Sequence, residues 1–326
     1  MALKALAVAA CYYVAGRLGL LGQVGVEGVV VTPIWPPTGV AVACLLVFGL
    51  SVWPGIALGS FLVITSLTTP DLISIVTVAG TTAGPLCACL LLRAVGFRLD
   101  VSRLRDGTSL VFLGGLGAML ISATAGVAPQ VWTGSLDVGD FLPVWLAWWV
   151  GDAMGVLLVT PLLLVLFRGT FLPRRRVTER IPVRRWVEAL CLGIATLLLV
   201  PFAVLSTPGM LFLVFPLLIW AALRFELAGS MLCALFASVL STYAANGLQG
   251  SFLELSNIEV MTKLQAFNGA AALTALLLSA LVTEQRATRH SVQHACNELA
   301  ELLEHLAAGE DPTESSGRRT PETPDG

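Results

Sequence analysis

Ten long apolar stretches fill residues 1 to about 284 of this 326-residue chain, and they set the solvent before they set the fold. Most are runs of about 20 Leu, Val, Ala and Gly residues, the length a helix needs to cross a roughly 30 Å hydrocarbon core. In hydrocarbon every backbone N–H and C=O must be paired within the protein, so only helices and closed barrels span it. Barrel strands alternate apolar and polar residues over about 10 positions, which these stretches do not. The expected fold class is all-α, a polytopic transmembrane helical bundle. A hydrophobic fraction of 56%, a charged fraction of 12% and a mean hydropathy of +0.85 exclude an ordinary soluble domain.

The pattern predicts helices over residues 2–24, 34–49, 52–68, 72–95, 108–128, 141–167, 187–205, 210–223, 227–245 and 264–283. In this frame the loops of one side carry Arg93, Arg98, Arg103, Arg105, Arg168, Arg174, Arg175, Arg176, Arg180, Arg184, Arg185 and Arg224, joined by Arg286 and Arg289. The other loops carry Glu27, Asp71, Asp137, Asp140, Glu254 and Glu259, with Lys263 the lone base. Short basic loops resist translocation, which predicts about 10 spans with both termini in the cytoplasm of a bacterial inner membrane. The stretches around Ile34 and Met210 are short and rich in Pro or aromatics, so eight spans plus two short or irregular segments is the alternative. Lys4 and Arg17 interrupt the first stretch and no polar, small-residue cleavage site follows it, so it is expected to be retained. Six of the seven cysteines fall inside apolar stretches and only Cys296 lies beyond them, which implies no disulfide framework.

Several motifs recur at helix starts and helix centres. Trp35-Pro36-Pro37-Thr38-Gly39 opens the second stretch and Trp53-Pro54-Gly55-Ile56-Ala57-Leu58-Gly59 the third. WWVGDAMGVLLVTPLLL runs from Trp148 to Leu164, FPLLIWAALRF from Phe215 to Phe225, and Gln265-Ala266-Phe267 opens the last. In this order, over roughly residues 10 to 290, the set resembles MASE1, a membrane-associated sensor domain of bacterial diguanylate cyclases, cyclic-di-GMP phosphodiesterases and histidine kinases. The resemblance implies an integral membrane input module of undefined ligand. The chain departs from the commonest arrangement of that family after Thr283, where no room remains for a cyclase, phosphodiesterase or kinase domain. Gly55/Gly59, Gly80/Gly84 and Gly151/Gly155 stand four residues apart, a spacing that lets helix backbones approach closely.

Ionisable residues inside a membrane are costly and mark candidate sites. Asp152 is the clearest, and it and Arg17 each lie roughly 20 Å from the cytoplasmic ends of their helices at ~1.5 Å per residue. That depth predicts an Arg17–Asp152 ion pair fixing helix register, or a polar binding pocket lined by Asp152, Trp149 and Asn268. With Trp35, these five residues are the candidate ligand site. His290, His294 and His305 all fall in the tail, so neither a bis-histidine haem nor a Ser/His dyad is expected between the helices. No catalytic residue, metal or cofactor is predicted, and no nucleic-acid partner. Asp137 and Asp140, the clustered outer carboxylates, lack a nucleophile or metal-ligand spacing.

Beyond the last apolar stretch, Val292, Cys296, Leu299, Leu303 and Leu306 recur at spacings of four, three, four and three, a short coiled-coil seam. The expected domains are a sensor domain over 1–284, an amphipathic helix over 285–308 and a disordered, Pro-, Ser- and Glu-rich tail over 309–326. Membrane lipid, an unknown small ligand and either a second copy or a separate kinase or cyclase are the expected partners. Arg174 to Arg176 and Arg184/Arg185, with Phe171 and Trp186, are candidates for anionic lipid heads. A small-solute transporter is the rival reading, on its span number, proline-broken helices and single buried carboxylate.

Overall fold

Tandem prolines lack N–H donors and fix φ, so they fit the first turn of a helix, whose amides have no intrahelical acceptor. The computed structural model, which describes residues 2–26, 29–171, 183–206, 209–253 and 255–307, starts its second and third helices on them. Pro36 and Pro37 open α2 (Pro36–Phe48), and Pro54 stands second in α3 (Trp53–Thr65). Helix α1 (Ala2–Gly19) precedes them and α4 (Leu72–Ala94) follows. Asp71 caps α4: its carboxylate accepts from the Ser74 N–H at 2.8 Å, and Ser74 Oγ accepts from the Asp71 N–H at 3.3 Å. These bonds hold the Asp71 carboxyl below its ordinary pKa.

Two features depart from a purely α-helical expectation. Between α1 and α2 the chain forms an antiparallel hairpin, β1 (Val24–Val26) and β2 (Val29–Val31), with Val24 opposite Val31. Its valines prefer the pleated conformation. Helices α5 (Leu104–Ser109) and α6 (Met119–Trp132) are joined by a π-helical segment, Leu110–Gly117. A second π segment, Gly155–Val159, joins α7 (Phe141–Met154) to α8 (Thr160–Phe171). The two face each other, Gly115 against Leu157 and Gly114 against Val156.

Helix α9 (Val183–Leu205) is followed by α10 (Val214–Asn246), which is two arms rather than one rod. Glu226 interrupts it with φ 55° and ψ −144°. The chain leaves the end of α9, yet Arg224 Nε already donates to Glu188 Oε2 near its start at 2.8 Å. Residues 214–225 therefore run against α9. Cys233 Sγ then lies 3.8 Å from Thr196 Oγ1, about two turns further along α9, so residues 227–246 run back beside it. The reversal falls where the apolar pattern separates residues 210–223 from 227–245.

Several contacts gather Lys4, Arg93, Arg105 and Arg168 at one end of this bundle. Arg93 Nη2 donates to Leu45 O at 3.0 Å, Arg105 Nη2 to Val95 O at 3.1 Å, and Arg168 lies 3.8 Å from Asp100. Lys4 stands 5.8 Å from the Phe48 ring, which meets Phe167 edge-on at 5.4 Å. At the other end Asn246 Nδ2 donates to Leu21 O at 3.2 Å and Ser251 Oγ to Ser206 O at 3.1 Å. Among the described residues, seven helical stretches, Leu211–Asn246 included, have the length and apolarity to cross a membrane. Pro36–Phe48 and Leu50–Thr65 are apolar but shorter. Glu27, Glu254, Arg174, Arg175, Arg176 and Arg180, the side chains of Phe171 and Leu306, and the tail 309–326 lie outside the described residues.

The last helix is α11 (Asn257–Ala307). The chain divides into two compact units, Met1–Val282 and Thr283–Gly326. In the second, Val292, Cys296, Leu299 and Leu303 are all exposed.

Candidate functional site

Gly151 and Gly155 lie one above the other on a helical face, and the start of α2 presses against them. The Trp35 N–H donates to Gly151 O at 2.9 Å, and Thr160 Oγ1 donates to Gly39 O at 3.1 Å. A Cβ on Gly155 would fall on the Trp35 carbonyl, and one on Gly151 on the Thr32 carbonyl. Only glycine admits so close an approach. Thus the WPPTG and GDAMG motifs, more than 100 residues apart in sequence, interlock.

That contact places Asp152 among hydroxyls. Thr38 Oγ1 donates to Oδ1 at 2.6 Å and Ser122 Oγ, from α6, donates to Oδ2 at 2.6 Å. The Trp148 indole lies beside the carboxyl. Asp152 is 1% exposed, and these bonds satisfy a carboxyl that water no longer reaches.

Asp152 lines a cavity of about 110 Å³. Around it stand the rings of Tyr12, Trp35 and Trp148, the hydroxyls of Ser60, Thr77 and Thr81, and the apolar side chains of Val30, Val31 and Val63. Ser60 Oγ and Thr81 Oγ1 share a hydrogen bond of 2.7 Å, and the Tyr12 hydroxyl lies beside both. Each ring rests on a glycine. Tyr12 packs on Gly59, Trp35 on Gly19 and Trp148 on Gly126; a Cβ would meet Tyr12 or Trp148 at 2.7 Å, and at Gly19 it would meet Pro36 at 2.9 Å and the Trp35 ring at 3.2 Å. Among the described residues, no Lys, Arg or His lines the cavity. A lining with one carboxyl and no cationic side chain favours positive charge over negative.

The structure sorts the five sequence candidates apart. Asp152 and Trp35 share the cavity. Arg17 does not pair with Asp152: it is exposed near the end of α1, and its Nη1 donates to Ser66 Oγ at 3.3 Å. Equal depth did not mean a shared face. Trp149 is also displaced, since one residue turns a helix by about 100°. Its Nε1 donates to Leu116 O at 2.8 Å and its ring stacks on Trp145 at 5.7 Å, leaving the cavity wall to Trp148. Asn268 is fully buried in α11, away from this lining, with neither amide atom partnered among the described residues. Nearby, Gln265 Nε2 donates to Ala147 O at 2.9 Å.

Tyr12, Ser60, Thr81 and Ser122 escaped the sequence reading because a lone hydroxyl in an apolar helix carries no periodic signal. Thr38 and Trp148 were present in the quoted motifs, but nothing in sequence said that they face Asp152. Among the described residues no group of three His, Cys, Asp or Glu side chains is placed to hold a metal ion.

No curated protein and no solved structure matches the chain significantly. The MASE1 family model does match, over residues 5–286, with both interlocked motifs inside the matched region. That region is a multi-pass helical bundle, and the chain belongs to the MASE1 family of membrane-associated sensor domains.

Proposed function

We propose that this chain is a sensory input module of the bacterial inner membrane, with both termini in the cytoplasm and about ten membrane-embedded helical segments. A membrane or extracytoplasmic signal enters the Asp152 cavity, biases two packings of the bundle, and is passed through α11 to a separate signalling partner such as a kinase or cyclase. The observation that carries this reading is the seam on α11. Val292, Leu299 and Leu303 are 56%, 60% and 65% exposed on a helix that continues to Ala307. An apolar stripe left bare on a charged helix is a coiled-coil face awaiting a second strand. Glu298, Glu301 and Glu304 flank it and favour a basic partner over a tight homodimer.

The test is purification of the tagged, detergent-solubilised chain with and without residues 290–326. A kinase or cyclase held by the full chain and lost on truncation is the expected result. Solute uptake into vesicles that survives the truncation, with no partner retained by either form, overturns the proposal in favour of transport.

A further inference from the structure

We infer that the Asp152 cavity takes a small organic cation, an ammonium group carrying apolar substituents; the inference rests on the cavity's being the sensory site. Three observations converge on that chemistry. First, Asp152 is a buried carboxyl held by Thr38 and Ser122, with none of the ion pairs among the described residues reaching it. Positive charge on a ligand is the complement the protein itself does not supply.

Second, part of the wall is aromatic. Tyr12, Trp35 and Trp148 border one space, and a cation over such ring faces is attracted by their quadrupoles, most strongly where water is excluded. The rings are held against Gly59, Gly19 and Gly126, so they form a fixed wall rather than one assembled on binding.

Third, the remaining lining discriminates among cations. Leu20, Val30, Val31, Val63, Ile64 and Leu67 are apolar. A bare divalent ion needs six or more oxygens, and both Asp152 oxygens already accept hydroxyl bonds. An alkylammonium group needs no such shell, because its methyl or methylene surface packs on the aliphatic wall while its charge faces the carboxylate and the rings. The space of about 110 Å³ is several times the ~10–15 Å³ a single water requires, which suits a headgroup of trimethylammonium size. Leu20, Val30 and Leu67 belong to the end of the bundle that carries the hairpin, so the ligand arrives from the side opposite Arg93, Arg105 and Arg168, where Arg17 is exposed and bonded to Ser66 Oγ.

The experiment compares choline with its neutral isostere 3,3-dimethylbutan-1-ol by quenching of Trp fluorescence and by calorimetry, on the full-length chain in nanodiscs. The expected result is at least tenfold tighter binding of choline. In Asp152→Asn that preference falls to near unity while binding of the alcohol is retained. Trp148→Leu, which leaves the carboxyl in place, reduces the preference at least threefold and guards against an Asp152→Asn chain that fails to fold. Equal affinities for the two probes in the unaltered chain, binding of neither, or a preference that survives both substitutions overturns the inference. Sensing itself is judged separately, by the partner lost with residues 290–326.

Discussion

Taking the Asp152 carboxyl out of water costs several kcal/mol, and the donors of Thr38 and Ser122 offset that cost only while their helices stay in register. The register is set by backbone contact at Gly155. Gly155→Ala would drive a Cβ into the Trp35 carbonyl and push the start of α2 away from Asp152. The expected loss is about 1–3 kcal/mol or more, seen as earlier thermal unfolding in detergent. Gly193→Ala is the control: nothing lies within 4 Å of its new methyl, and relief of glycine's helix penalty stabilises by up to ~1 kcal/mol. Equal effects at the two positions would refute a special role for the Gly155 contact. At this scale the sequence disclosed Asp152 and both glycine-bearing motifs, because an ionisable group or a glycine pair stands out in an apolar run. It did not disclose which neighbour turns inward, as the exchange of Trp149 for Trp148 and the failed Arg17 pair demonstrate.

Among the elements, the apolar pattern located the helical stretches well, since length and composition carry that information. It was blind to what happens inside them. The π segments at Leu110–Gly117 and Gly155–Val159 are rich in glycine and small apolar residues that read equally well as α-helix. The hairpin at Val24–Val31 is too short for an alternating signal. The reversal at Glu226 was legible, because Arg224, Phe225 and Glu226 break the apolar run, but its cost was not. A non-glycine residue at φ 55° carries strain of about 1–3 kcal/mol. Glu226→Gly is expected to raise the unfolding temperature by a few degrees and Glu226→Val, β-branched, to lower it. A Gly variant no more stable than the Val variant would show that the turn is held by side-chain contacts instead.

For the whole molecule, the gathering of Lys4, Arg93, Arg105 and Arg168 at one end fixes an expectation of orientation. A membrane-impermeant maleimide should label Gln249→Cys in intact spheroplasts and Cys296 only after permeabilisation, with Cys11 and Cys191 replaced by Ser. The reverse order would invert the proposed topology. The two packings proposed for the bundle would find a means of exchange in its paired π segments. Each is a length of helix wound with more residues per turn than its neighbours. Such a winding defect is slack: it can be taken up or displaced along the rod, so that one side of it advances by about 1.5 Å and turns by about 100° per residue while the other stays still. Because Gly155–Val159 begins three residues after Asp152 and faces its counterpart in the neighbouring rod, that slack lies beside the cavity.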